Sequence, residues 1–332
     1  MIEIAEMFRP ERPALWRLAK QAGVDHAVSV LAPDDGGPER PWDYAPMARV
    51  KAAYEQAGLE LAVLECSPPM EKIRLGLAGR DEELDWFCTM LTNMGALGIP
   101  VLCYNFMAHF GWTRTHVDIP WRGGALVTGY DHASMADLPL TEHGEVPEER
   151  IWDNYRYFLH RVLPVAERAG VKLALHPDDP PRSPIRGIGR IMRTVENFQR
   201  ALDIAESECH GITMCQGNFT LMTDDLPATI RHFGCQGRIH FVHFRDVRGT
   251  ADKFQETFHE EGKTDMYACM RVYADLDWRG VLRPDHVPTL DGDSNDDPCY
   301  SSIGRLLAIG YITGLREAAY GRKHDRHLLG TP

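Results

Sequence analysis

Eight short apolar runs, each followed by a stretch of helical periodicity, constrain the fold of this chain more than any other feature of its sequence. Each run is rich in aliphatic or aromatic residues and has the length of a buried strand. The runs lie at residues 2–8, 26–31, 60–65, 99–105, 171–176, 211–215, 238–244 and 281–285. The helices that alternate with them are predicted near 43–57, 81–96, 148–169, 192–206, 221–233, 264–275 and 301–319.

The turns before several runs share a glycine that follows the last helical residue, as at Gly23, Gly58, Gly98 and Gly170. Glycine readily adopts the left-handed conformation that ends a helix and lets the chain return to the sheet. Strands that alternate with helices are typical of a parallel sheet. The pattern therefore predicts an α/β protein that folds as one (β/α)8 TIM barrel over residues 1–332. A doubly wound open sheet is the alternative.

Two stretches break this rhythm. Residues 105–147 are rich in Gly, Pro, Asp, His and aromatic residues and follow the fourth strand, and residues 286–299 follow the eighth. Connections this long are usually binding loops or lids. Because both follow strands, we expect a lid-like insertion and a second loop over the C-terminal face, where barrel active sites lie.

Composition and charge exclude several classes of partner. The net charge of −12, without clusters of Lys and Arg, argues against nucleic acid or a membrane surface. No apolar stretch approaches the roughly 18 residues that span a bilayer, and the N-terminus has no signal-peptide pattern, so a cytoplasmic location is expected. Eight cysteines without a CxxC motif are expected to be reduced thiols. A homo-oligomer is also expected, with a dimer favoured.

Four consecutive strand candidates end in a side chain that can bind a metal ion: His176, Cys215, His243 and Asp285. Strand ends on one face of a barrel converge, so these side chains can meet although they are far apart in sequence. Two imidazoles, a thiolate and a carboxylate suit Fe, Mn, Co or Zn better than Mg or Ca. Taken singly, a strand histidine is more often a hydrogen-bonded core residue and a strand cysteine a packing residue.

Several segments of the chain resemble mannonate dehydratases in order and spacing, and the likeness extends from about residue 45 to 320. These segments are CYNFMAHFGWTRT (103–115), LALHPDDPP (173–181), GITMCQGN (211–218), HFVHFRDVRG (240–249), RPDH (283–286) and PCYSSIGRLLAIGYITGL (298–315). The resemblance implies a metal-dependent, xylose-isomerase-like barrel that removes water from D-mannonate to give 2-keto-3-deoxy-D-gluconate. It implies one Mn²⁺ or Fe²⁺ per chain on the four ligands named above, with His286 and Tyr300 as the proton-transfer pair.

The substrate of such an enzyme is a small sugar-acid anion, which needs donors. Arg114, Arg245 and Arg283 match family motifs and can clamp a carboxylate bidentately, or each can instead pair internally with an acidic residue. Tyr104 and Asn105 end the fourth strand and either bind sugar hydroxyls or anchor the insertion. The neighbouring pair Asp178 and Asp179 is expected to shape the turn and orient the residues around the metal.

The sequence also departs from the family pattern. An aromatic FRWYG pattern is reduced to Phe8-Arg9-Pro10, a histidine-rich strand end reads Leu31-Ala32-Pro33, and Gln216 and Val287 replace expected residues. If Pro10, Ala32, Pro33 and Gln216 face the space above the metal, they predict weak activity on D-mannonate and a different aldonic acid as the better substrate. A keto-sugar isomerase or epimerase on the same barrel is also compatible with the sequence, and so is a non-catalytic sugar-acid sensor.

Overall fold

Eight parallel strands form a closed barrel in the computed structural model, which describes residues 1–10 and 13–321. With strands numbered in chain order, those of the barrel are β1 (Glu3–Phe8), β2 (His26–Ser29), β3 (Glu60–Glu65), β4 (Val101–Asn105), β7 (Lys172–His176), β8 (His210–Cys215), β9 (Ile239–Phe244) and β12 (Val281–Pro284). Their order around the barrel is β1-β12-β9-β8-β7-β4-β3-β2. The predicted (β/α)8 barrel is therefore confirmed, and the open sheet is excluded because β1 pairs with both β2 and β12.

Helices surround the barrel. They are α1 (Pro13–Gln21), α2 (Tyr44–Gln56), α3 (Glu71–Leu75), α4 (Arg80–Leu97), α5 (Glu148–Ala169), α6 (Val195–Asp203), α7 (Gln216–Phe219), α8 (Leu226–Cys235), α9 (Met266–Asp275) and α10 (Ser302–Tyr320). Gly98 and Gly170 end α4 and α5 in the left-handed conformation, as predicted. Helices α1, α3 and α7 were not predicted; the latter two are only five and four residues long, too short for a helical period to be visible.

The core has two layers. Small and apolar side chains such as Ala5, Val63, Cys103 and Ala174 fill the barrel interior. A larger layer, which includes Tyr104, lies between the strands and the helices. Because side chains alternate along a strand, Cys103 and Tyr104 of β4 point to different layers.

The insertion after β4 is more regular than its sequence suggested. It contains β5 (His116–Pro120) and β6 (Leu126–Asp131), with short 3₁₀ turns at Arg122–Gly124 and His132–Met135. These strands join an unpredicted hairpin after β9, made of β10 (Val247–Thr250) and β11 (Lys253–Glu256), in a four-stranded antiparallel sheet of order β10-β11-β6-β5. Backbone hydrogen bonds between Leu126 and Thr289 tie the 286–299 loop to this sheet. Three excursions from different barrel strands thus form one structure.

All eight cysteines are free thiols, as predicted. No helix within the described residues is long and apolar enough to cross a membrane.

Candidate metal centre and active site

The four predicted metal ligands lie together at the C-terminal ends of adjacent barrel strands. A ring nitrogen of His176, the sulfur of Cys215 and a ring nitrogen of His243 lie within 4.8 Å of one another. Asp285 follows β12, and its Oδ2 lies 3.5 Å from His243 Nδ1 and 4.0 Å from Cys215 Sγ. Metal bonds of about 2.0–2.3 Å place neighbouring ligand atoms roughly 3–4 Å apart, which is the separation seen here.

The hydrogen bonds of the two imidazoles leave one lone pair on each ring directed at the other. His176 Nδ1 donates to the carbonyl of Pro177 at 2.7 Å, and His243 Nε2 donates to Glu65 at 3.3 Å. The two remaining nitrogens, His176 Nε2 and His243 Nδ1, are 3.2 Å apart. Two lone pairs at this distance require a proton or a cation between them. A backbone carbonyl and a carboxylate, the partners of the other two ring nitrogens, commonly orient histidines that bind a metal.

The surroundings of Cys215 favour the ionised form of its thiol. Its complete burial alone would raise its pKa, but the guanidinium of Arg245 and the ring of His176 lower that pKa to about 5. Cys215 is therefore a thiolate at neutral pH, which is the form that binds metals.

A buried network of charges surrounds the donors. The acidic groups are Glu65, Asp179, Cys215, Glu256 and Asp285, and the basic groups are Arg114, Arg245 and Arg283. Burial opposes ionisation, but the nearby cations lower the pKa of every one of the acids. Burial and Arg283 oppose protonation of His243, but Glu65 and Asp285 raise its pKa well above the usual value, so without a metal its ring holds a proton. A metal ligand must be a neutral imidazole, and in that form the network holds five negative and three positive charges. A divalent cation would balance the difference.

Each of the three arginines pairs internally, as the sequence allowed. Arg114 binds Asp179 and Glu256, and its side chain is fully buried. Arg245 donates to Asp285 Oδ2 at 2.8 Å and to both carboxylate oxygens of Glu256.

Arg283 has the same kind of surroundings. It donates to Asp285 Oδ1 at 2.8 Å and to Glu65. Arg245 and Arg283 therefore fix both oxygens of Asp285. Asp179 receives Arg114 and Arg245, whereas Asp178 accepts the backbone N–H of Met192 at 2.7 Å. Substrate binding by the three arginines stays a prediction.

His286 and Tyr300 lie next to the donors. Strand β12 ends at Pro284, and His286 has a left-handed φ of 36°, so the chain leaves the regular strand where the sequence required it to. Its Nδ1 lies 2.9 Å from Glu256 Oε1, and its Nε2 lies 3.8 Å from Asp285 Oδ1. The Tyr300 hydroxyl donates to Asp285 Oδ1 at 3.4 Å, and burial together with Asp285 raises the Tyr300 pKa. The two rings are edge to face, with centroids 5.8 Å apart.

A cavity of about 190 Å³ opens onto this centre. Its walls are formed by Glu65, Cys66, Ser67, Cys103, Tyr104, Asn105, Met107, Trp112, His176, Asp179, His243, Asp285, His286 and Tyr300. Asn105 lines it while its Oδ1 accepts from Arg74 at 3.0 Å. The hydroxyl of Tyr104 bonds that of Tyr155 at 3.1 Å in the outer core layer, so it is not directed at the cavity.

Sequence reasoning missed two carboxylates of the site. Glu65 ends β3 and contacts both His243 and Arg283. The rule that selected the candidate ligands, a polar residue at a strand end, could have found it. Glu256 lies on β11 of the unpredicted hairpin, and no signal in the sequence pointed to it.

The expectation that Pro10, Ala32, Pro33 and Gln216 face the space above the metal is wrong. Gln216 is fully buried, with its amide 3.5 Å from the Tyr273 hydroxyl on α9. None of the four residues, which all lie in the described part of the chain, lines the cavity. Gln216 begins the short helix α7, and its side chain lies against Tyr273. These residues therefore give no geometric support for an altered pocket.

A (β/α)8 barrel that gathers candidate metal donors beside a histidine–tyrosine pair is the class of protein that this fold and site define. Within that class, a model of the D-mannonate dehydratase family (UxuA) matches residues 6–326. The chain belongs to the mannonate dehydratase family, a family of hydro-lyases.

Individual relatives agree with this assignment. The chain is 36% identical over 304 residues, 83% of each chain, to a mannonate dehydratase of Streptococcus pneumoniae (strain 70585). It is 36% identical to mannonate dehydratase 2 of Halalkalibacterium halodurans over 305 residues, 83% of this chain and 88% of that one. The crystal structure of mannonate dehydratase from Streptococcus suis serotype 2 superposes with a TM-score of 0.91 at 34% identity, covering 100% of this chain and 99% of that one.

A more distant likeness extends to sugar epimerases. An L-ribulose 3-epimerase structure has a TM-score of 0.62 at 14% identity and covers 100% of both chains. This similarity shows the fold alone.

Proposed function

We propose that this chain dehydrates D-mannonate to 2-keto-3-deoxy-D-gluconate with one Mn²⁺ or Fe²⁺ held by His176, Cys215, His243 and Asp285. The observation that carries the proposal is the convergence of these donors, with their surplus of negative charge, beside His286 and Tyr300 in a member of this family. When bound, the metal would neutralise the negative charge that grows on the substrate as the proton leaves carbon 2.

The hydrogen bonds of the pair suggest their roles. His286 Nδ1 donates to Glu256, a carboxylate with its pKa lowered to about 2, so Nε2 keeps a lone pair that can accept a proton. Tyr300 already donates from its hydroxyl. We therefore assign His286 as the base that removes the carbon 2 proton and Tyr300 as the acid that protonates the departing hydroxyl of carbon 3.

The three arginines act, in this proposal, by holding the carboxylates in place. Arg245 and Arg283 fix Asp285, while Arg114 and Arg245 fix Glu256. Charge-assisted hydrogen bonds of this kind are short and directional. Asp285, a proposed metal ligand, and Glu256, the partner of His286, thus belong to one rigid hydrogen-bond network.

A panel of aldonic acids tests the proposal. With Mn²⁺ or Fe²⁺ present, we expect D-mannonate to give the highest kcat/KM, of at least ~10⁴ M⁻¹s⁻¹, measured by formation of 2-keto-3-deoxy acid. A higher kcat/KM for a pentonate or another hexonate would show that D-mannonate is not the preferred substrate, while the family assignment would still hold.

A further inference from the structure

A second group of metal-binding side chains lies outside the site described above. His109 lies near the start of the insertion, His143 near its end, and Glu71 begins helix α3. One ring nitrogen of each histidine and one carboxylate oxygen of Glu71 lie within 4.8 Å of one another. Among the described residues, this is the one such group that shares no member with the His176–Cys215–His243 centre.

A fourth donor faces the same histidines. The carboxylate of Glu142 lies 3.9 Å from His109 Nε2 and 3.8 Å from His143 Nε2. The two imidazoles are edge to face, with centroids 5.4 Å apart. Zinc bonds of about 2.0–2.2 Å place tetrahedral ligand atoms roughly 3.4 Å apart. The Glu142 oxygens would therefore have to approach the two rings by about 0.5 Å, and the other donor pairs would have to close by at most about 1.4 Å. Glu142 has an exposed side chain and is free to do so.

An unpartnered carboxylate oxygen of Glu71 points to a ligand here. One Glu71 oxygen, Oε2, accepts the backbone N–H of His109 at 3.1 Å, but the buried Oε1 has no hydrogen-bond partner. A buried carboxylate oxygen without a partner is costly.

We propose that Glu71, His109, Glu142 and His143 form a second divalent-cation site, of the Zn²⁺ class, that fastens both ends of the insertion to helix α3. Two imidazoles and two carboxylates in a closed set suit a structural zinc ion. Met107 and Trp112 lie either side of His109 in sequence and line the active-site cavity. A metal at this site would therefore fix one wall of that cavity. The inference does not depend on the proposed reaction.

Zinc binding by an untagged full-length chain tests the proposal. The substitutions H176A and C215S remove the first site, and this background is titrated with ZnCl₂ by calorimetry, with bound metal counted after gel filtration. We expect one Zn²⁺ per chain in this background and none when H109A and H143A are added. The matched control adds H116A and H132A, two histidines of the same insertion outside the cluster, and should still bind one.

Loss of zinc in the H109A/H143A variant alone supports the site. Equal binding by that variant and its control, or no zinc bound in any background, overturns it. If the double substitution unfolds the chain, shown by circular dichroism, the single variant H143Q serves instead, with an expected rise in Kd of at least ~10-fold, since three donors hold zinc less well than four. Failure of the proposed function is seen separately, as unchanged Mn²⁺ binding in the H176A/C215S background.

Discussion

Substituting Glu256 by Gln tests the charge network most severely, because this carboxylate connects His286, the proposed base, to two arginines. Glu256 accepts hydrogen bonds from Arg114 at 2.5 Å, from Arg245 at 2.9 and 3.0 Å, and from His286 at 2.9 Å. Gln keeps the shape of the side chain and one acceptor but removes the charge. Two buried guanidinium groups would then each lose an anionic partner, which typically costs about 3–5 kcal/mol.

The pKa of Glu256 gives a second value for the stability that its charge contributes. Burial opposes its ionisation, but Arg245, His286 and Arg114 lower its pKa from 4.5 to about 2. That displacement corresponds to about 3 kcal/mol of folding stability. Because the folded pKa lies below the unfolded one, this stability is fully present well above pH 4.5 and is lost as the pH falls towards about 2.

We therefore expect E256Q to lower the free energy of unfolding at pH 7 by about 3 kcal/mol, or the melting temperature by about 4 °C. Urea unfolding followed by circular dichroism measures this free energy. At pH 4 the difference in free energy of unfolding between wild type and E256Q should be smaller by about 1 kcal/mol than at pH 7. The matched control is E260Q, an exposed carboxylate paired with Arg122, which should cost at most ~1 kcal/mol. An E256Q protein as stable as wild type at pH 7 would refute the reasoning.

The remaining predictions concern the metal, the proton transfers and the packing. C215S should weaken Fe²⁺ and Zn²⁺ binding more than Mn²⁺ binding, since it removes the softest ligand; metal titrations measure this, and unchanged affinities would contradict it. H286N and Y300F should each retain fold and metal but lose at least ~10² in kcat, and normal turnover in both would mean that the pair is misassigned. G217A should destabilise the chain by about 1–3 kcal/mol, because its Cβ would meet the Arg245 guanidinium. Thermal unfolding measures this, and the control is G310A in α10, whose Cβ would meet no neighbour within 4 Å.

The barrel was predictable because its signals are local. The apolar run at 60–65 coincides with strand β3. The helix predicted at 148–169 coincides with α5, because apolar periodicity marks its length and Gly170 marks its C-terminal end. The convergence of the four proposed metal ligands was predictable for a related reason: one rule of parallel barrels brings the ends of β7, β8, β9 and β12 together.

The residues that surround the proposed ligands were not predictable in the same way. Glu256 reaches His286 only because the hairpin after β9 pairs with β6 of the insertion, and that pairing joins residues more than a hundred positions apart. Gln216 was misplaced for the opposite reason. A position just past a strand end was expected to face the cavity, but there the chain begins a short helix that turns its side chain towards Tyr273.

The identity of the product tests the proposed dehydration most directly. Purified protein supplied with Mn²⁺ and D-mannonate is followed by proton NMR. We expect the substrate signals to give way to the carbon 3 methylene of 2-keto-3-deoxy-D-gluconate, chelation of the metal to stop this, and added Mn²⁺ to restore it. Accumulation of D-gluconate without a methylene signal would show inversion at carbon 2 instead, and would contradict a dehydratase.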